Sequence, residues 1–194
     1  MPLAKSVSLF IILAAVLCLD LPAQAQQPPA GAPAAKMAAS TLSRESRNAL
    51  NRLTAQSSTA KALEAKATAV LVFPSIKKAG FVVGGQYGEG TLFRGGKAAA
   101  YYSTGGVSYG LQAGAQTYGY AMFFMNDAAL RQLDKADGFE IGVGPSVVVM
   151  DEGMAKSMTT TTMNDDVYAF IFGQKGLMAG IGLQGNKITR IAAK

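Results

Sequence analysis

The residues best suited to chemistry in this 194-residue chain are two adjacent carboxylate pairs, Asp151-Glu152 and Asp165-Asp166. Paired carboxylates serve glycoside hydrolysis when they flank a bond, or calcium binding when several oxygens converge. Neither use fits. Neighbouring residues on a strand point to opposite faces, both pairs fall at expected turns, and no Asp-x-Asp-x-Asp-Gly loop occurs. Solvated turn carboxylates are the expectation. Gly88-Glu89-Gly90 and Gly142-Val143-Gly144 match fragments of nucleotide loops, but neither opens a helix in a βαβ unit, as those motifs require. Gly110 and Gly114 have the spacing of a membrane helix-packing motif, yet Gln112, Gln116 and the local alternation favour a strand. The run Thr159 to Thr162 suits a strand and carries no mechanism.

The missing residue types narrow the field further. The chain has no histidine, no tryptophan and one cysteine, Cys18. That excludes Ser-His-Asp and Cys-His catalysis, imidazole or multi-thiolate metal sites, and a disulfide framework. No catalytic constellation remains, so the expectation is a non-enzymatic protein without a metal or cofactor.

Charge points to a surface instead. The formal net charge is +6, and Met37 to Lys97 alone holds nine Lys or Arg against Glu45, Glu64 and Glu89. The remainder from Ala98 has seven against eight. A basic face beside apolar helix positions suits an anionic partner, phospholipid or nucleic acid. Nucleic acid is disfavoured for an exported protein, and because the aromatic residues lie among the strands, away from the basic helices, unlike a stacking platform with interleaved charge.

The elements that position these charges follow from composition. Met1 to Gln27 reads as an export signal: Lys5 gives a positive start, Val7 to Leu19 an apolar run, and Ala23-Gln24-Ala25 a small-x-small cleavage site. That run is short of the ~20 residues a spanning helix needs. Cleavage after Ala25 is expected. Lipoprotein anchoring at Cys18 is disfavoured, because Leu17 before it is not small. The expected organisation is therefore a signal over 1–25, a flexible Pro/Ala/Gln-rich tether over 26–40, and one folded domain over 41–194. The protein would be exported to the periplasm or envelope.

Within the domain, Leu42, Ala49, Leu50 and Leu53 recur at helical spacing, with Arg44, Arg47 and Arg52 mostly elsewhere on the wheel. Ser57-Ser58-Thr59 is placed to cap a second helix, Ala60 to Ala67, with Leu63 facing in. Pro74 is expected to end a strand, Ala69 to Phe73, leaving Lys77 and Lys78 at a turn. After Ala79 the texture changes: 21 of the 22 glycines lie between Gly80 and Gly185, among short apolar strands. Gly95-Gly96 and Gly185-Asn186 are two-residue hairpin signals, and Gln174-Lys175-Gly176 suggests another turn. A single helix, Asp127 to Lys135, would be capped by Asn126 or Asp127 and bury Leu130 and Leu133. Gly110, Gly114, Gly142, Gly144, Gly180 and Gly182 fall inside strands, which argues for strong curvature. The expected fold class is α+β: N-terminal helices on a strongly curved, glycine-rich, antiparallel, barrel-like sheet with one inserted helix.

Two stretches carry a family resemblance. Val72–Thr91 (VFPSIKKAGFVVGGQYGEGT) resembles the opening block of the SYLF domain, and Gly176–Gly185 (GLMAGIGLQG) resembles its closing block. The resemblance spans roughly Ser40 to Ile191 and implies a lipid-binding domain. Eukaryotic relatives bind phosphoinositides and in some cases actin; bacterial relatives are exported proteins or lipoproteins that bind phospholipids. Actin does not carry over to an exported chain. The function expected is binding of anionic phospholipid surfaces through Arg44, Arg47, Arg52, Lys61, Lys77 and Lys78, with Leu50, Leu53 and Phe81 weighed as acyl-chain contacts against a core role. No protein partner is identified. The alternatives are a small outer-membrane β-barrel and a structural or adhesive envelope protein.

Overall fold

The computed structural model describes residues 32–81, 83–109, 114–134, 139–140, 147–150, 165–176 and 186–192. The signal segment with Cys18, Gly142-Val143-Gly144, Asp151-Glu152, Thr159–Thr162, the strand expected over Leu177–Gln184, and Gly110, Gly180 and Gly182 lie outside these residues.

Helix α1 runs from Ala32 to Gln56. It starts well before Thr41, so the C-terminal part of the stretch expected as tether is helical. Alanine is the best helix former, and Pro33 sits in the first turn, where its missing N–H costs no bond. Ser57 then caps α2, Ser58–Lys66, its side chain accepting from the Ala60 amide at 3.1 Å. Leu63 is buried, as its spacing predicts.

Four long strands follow: β1 (Ala69–Phe81), β2 (Val83–Arg94), β3 (Lys97–Tyr109) and β4 (Gly114–Phe124). Pro74 does not end β1. The register shifts between Val72 and Ser75 against β2 and between Phe73 and Ile76 against β4. A proline is tolerated at such a bulge because the ladder there has no use for its N–H. The β2–β3 hairpin turns at Gly95 (φ 54°) and Gly96 (φ 74°), both left-handed, as a type I′ turn demands.

Helix α3, Asp127–Leu133, is capped by Asn126, which accepts from the Ala129 amide at 2.8 Å, and it buries Leu130 and Leu133. The chain continues through β5 (Phe139–Glu140), β6 (Val147–Met150), β7 (Val167–Gly176) and β8 (Lys187–Ile191). Gln174–Gly176 is not a turn. It belongs to β7, where the register slips between Thr117 and Gly119 of β4, and Gly173 takes φ 62° at the slip.

The sheet order is β5-β8-β3-β2-β1-β4-β7-β6. The class is α+β, with two corrections. The sheet is mixed, since β6 runs parallel to β7. It is also open, with β5 and β6 as its edges, and not a closed barrel among the described residues. Each face is covered by its own apolar cluster. On one, α1 and α2 place Leu50, Leu53 and Leu63 against Val70, Val72, Phe123 and Phe170. On the other, α3 packs with Leu71, Phe73, Ile76, Tyr118, Tyr120 and Met122. Each such large side chain contributes roughly 1.5–3 kcal/mol by leaving water.

Glycine has a local function where aromatic rings cross the sheet. A Cβ on Gly90 would stand 2.6 Å from Phe73 Cδ1, and one on Gly119 would stand 2.4 Å from Phe172 Cε2. Both positions hold a ring against bare backbone.

Candidate functional site

The helical layer carries four of the six basic residues singled out above, and the fold separates them. Arg44, Arg52 and Lys61 are exposed. Arg44 lies on the outer stripe of α1 together with Met37, seven residues earlier, whose side chain is 70% exposed. Arg47 and Arg52 are five residues apart, which at 3.6 residues per turn places them about 140° apart around the helix. They flank the outer stripe on opposite sides.

Arg47 is engaged inside the protein. Its guanidinium lies 3.9 Å from the Phe93 ring centroid. One Nη donates to the Gly96 carbonyl at 2.7 Å, and the other is 3.6 Å from Glu64 Oε1 on α2. One side chain thus joins α1, α2 and the β2–β3 hairpin. Nothing in the sequence spacing signals this, because Phe93 and Gly96 lie far along the chain.

Lys77 and Lys78 are not at a turn. Both lie within β1, so they point to opposite faces. Lys77 is exposed, whereas Lys78 is 4% exposed beside the Gln86 and Gln116 positions on the α3 side of the sheet. Gln86 accepts from the Tyr118 hydroxyl at 2.8 Å and donates to Asn186. Burial pushes the Tyr118 phenol up to about 12. Lys78 therefore belongs to a buried polar row, and a bilayer would not reach it without rearrangement. Leu50 and Leu53 are core residues, and Phe81 ends β1.

The carboxylates have structural partners. Asp127 meets Arg94 at 2.9 Å, and Asp134 accepts from the Tyr102 hydroxyl at 2.6 Å and faces Arg190 at 3.3 Å, so α3 is tied down at both ends. The Tyr102 phenol is raised above its ordinary value by burial first and by its bond to Asp134 second. Asp166 accepts from the Asn126 amide at 2.7 Å. Among the described residues no group of three or more metal-ligating side chains converges, and no helix is long and apolar enough to cross a membrane.

What these elements offer is an outer helical surface of separate cations, with the exposed Met37 two turns before Arg44 on the same stripe. Compared with known families, residues 105–193 match the model of Ysc84, described as Las17-binding protein actin regulator. That stretch takes in the end of β3 from Gly105, then β4, α3 and β5 to β8, and the C-terminal of the two sequence blocks. No curated protein matches the chain.

Proposed function

Because the chain carries a SYLF-type domain, matched as Ysc84 over residues 105–193, we propose that it binds anionic phospholipid surfaces and catalyses no reaction on them. The observation that carries this reading is the outer face of the helical layer, where Arg44, Arg52 and Lys61 are exposed and Met37 stands on the Arg44 stripe. Near an anionic membrane each Lys or Arg contributes about 1 kcal/mol, and the attraction decays within a Debye length of ~10 Å at 0.1 M salt. Three such cations would give binding that fades steeply as salt rises.

The export signal read at Met1 to Gln27 supports a periplasmic or envelope setting for that surface, which argues against an actin partner. The family is described as a Las17-binding protein and actin regulator; here the shared domain is read as a membrane-contact scaffold. The β-barrel alternative lacks a closed sheet among the described residues. An adhesive role would replace lipid by a protein partner at the same surface.

Co-sedimentation tests the proposal, using phosphatidylcholine vesicles with and without phosphatidylglycerol across a salt series. Binding to the anionic vesicles alone, weakening with salt, is the expected result. Absence of binding to both overturns it, and a stoichiometric protein partner recovered without lipid favours the adhesive role.

A further inference from the structure

Among the described residues, α1 and α2 cover only part of the sheet face on which they pack. Alternation along β2 puts Phe93, Glu89, Tyr87 and Val83 on that face, and Phe93 meets Arg47 of α1. Helix α1 passes beside Glu89, where Ala38, Ala39 and Leu42 line a small groove with Glu89, Tyr101 and Ile191. Further along these strands Tyr87 is 55% exposed, Val83 54% and Val107, on β3, 69%. At the same level the opposite face is closed, with Lys78, Gln116 and Tyr118 all buried. Among the described residues one side of the sheet end is closed, and the other leaves Tyr87, Val83 and Val107 exposed.

The register gathers lysines around this patch. Lys77 pairs with Tyr87 on one side and with Thr117 on the other. Thr117 in turn pairs with Lys175. Tyr87 pairs with Gly105, and Gly105 with Lys187. Antiparallel partners share a face, so these residues form one row across six strands, about 24 Å long at ~4.8 Å per strand. Lys77, Lys175 and Lys187 are all exposed. Val107, opposite Gly85, lies in the adjoining row.

Two glutamates border the row. Glu140 stands opposite Lys187 at the sheet edge, and Glu89 accepts from the Tyr87 hydroxyl at 2.7 Å. No acidic residue stands directly opposite Lys77 or Lys175, and neither forms an ion pair among the described residues.

We propose that this uncovered sheet end seats on an anionic phospholipid bilayer, with Tyr87, Val83 and Val107 entering the interface and the lysine row meeting headgroup phosphates. The proposal rests on the lipid-binding reading above and assigns the closest contact to the sheet, not to the helices. Tyrosine suits the wet boundary of a bilayer, and lysine stems extend along apolar surface while their ammonium groups reach phosphate. A second copy of the chain fits less well, because a twofold pairing of this face brings one lysine row against another.

The chain's lack of tryptophan makes the test direct. In the full chain, Val107→Trp introduces a single reporter at an exposed position, and Asn51→Trp provides one on the outer face of α1. Both are titrated with vesicles of phosphatidylcholine and phosphatidylglycerol, after their melting curves are matched to the unsubstituted protein. The expected result is a blue shift for Val107→Trp with little change for Asn51→Trp. Lys77→Gln and Lys175→Gln should each weaken partitioning about fivefold, equivalent to about 1 kcal/mol per charge. Vesicle binding with a shift only in Asn51→Trp overturns the assignment and leaves the lipid-binding reading standing. Unchanged partitioning in both lysine variants overturns it independently of the reporter. Absence of vesicle binding by the unsubstituted chain removes both. A concentration-dependent blue shift of Val107→Trp without vesicles assigns the patch to a second copy and overturns the proposal.

Discussion

Arg47 holds α1 to the β2–β3 hairpin by lying 3.9 Å over the ring of Phe93. The arrangement combines a cation–π contact with a hydrogen bond to the Gly96 carbonyl at 2.7 Å. The type I′ turn at Gly95-Gly96 presents that carbonyl, so a hairpin signal and a helix signal meet in one side chain. This makes Arg47 a member of the scaffold, and its charge is only partly available to a partner.

Arg47→Ala should therefore destabilise the protein by about 1–2 kcal/mol, the combined scale of a partly desolvated cation–π contact and one charged hydrogen bond. Arg44→Ala, on the outer stripe, should stay within about 0.5 kcal/mol of the parent. Urea unfolding of the two variants side by side measures the difference, and equal midpoints would remove Arg47 from the scaffold.

The ring crossing at Gly90 leads to a second prediction. A Cβ there would stand 2.6 Å from both Phe73 Cδ1 and the Val72 carbonyl oxygen. The ring could turn aside; the backbone oxygen has less freedom. Gly90→Ala should cost about 1–3 kcal/mol, the range for overpacking a filled interior. Gly85→Ala, with no atom within 4 Å of its added Cβ, is the matched control in the same strand. Thermal unfolding of both should separate them clearly.

Much of the local structure was legible because its signals are local. Ser57 and Asn126 cap helices from their own sequence neighbourhoods, and Gly95-Gly96 supplies the two positive φ values its hairpin needs. The misreadings share a cause in long-range pairing. Pro74 looks like a terminator until β2 and β4 supply the bulge that accommodates it. Once β1 is allowed to continue, simple alternation separates Lys77 from Lys78. The parallel β6–β7 pair and the lysine row depend on which strands become neighbours, and strand order is not written in any one segment. Arg47 stood out as a charge, but its partner Phe93 and the carbonyl of Gly96 come from a hairpin remote in sequence.

The helix cap at Asn126 has a consequence of its own. Its carbonyl oxygen accepts from the Ala129 amide, and its amide donates to Asp166 at the entry to β7. Asn126→Ala removes both bonds and should cost about 1–2 kcal/mol, toward the upper end for a cap. Asn126→Ser restores a capping oxygen without the link to Asp166 and should recover part of the loss. A full recovery in chemical denaturation would show that the Asp166 bond contributes nothing.

Separation of the cations bears on salt dependence. If the outer helical surface meets the membrane electrostatically, Arg44→Gln and Arg52→Gln should each lower anionic-vesicle partitioning about fivefold at low salt, from about 1 kcal/mol per charge, and the deficit should shrink as salt rises. Neither should shift the urea midpoint by more than about 0.5 kcal/mol. A deficit that persists unchanged at high salt would point to a packing role for these arginines.

Alkaline pH gives the last prediction. Tyr118 has its phenol pushed up to about 12 by burial, and the phenols of Tyr102 and Tyr120 are raised by the same cause. A raised value means that the folded protein keeps a proton the unfolded chain releases near pH 10. Stability from these groups is therefore complete below pH 10 and declines as pH climbs, in the case of Tyr118 until about 12. The slope per tyrosine approaches about 1.4 kcal/mol per pH unit within that window. Tyr118→Phe loses the hydrogen bond to Gln86 at every pH but removes one titrating group, so its stability should fall less steeply than the parent's above pH 10. Urea midpoints from pH 8 to 11 measure the two slopes, and phenolate absorbance provides a second reading. Of the seven tyrosines, the buried ones should ionise only as the far-ultraviolet dichroism is lost. Ionisation of all of them near pH 10 with the fold intact would contradict the burial of Tyr102, Tyr118 and Tyr120.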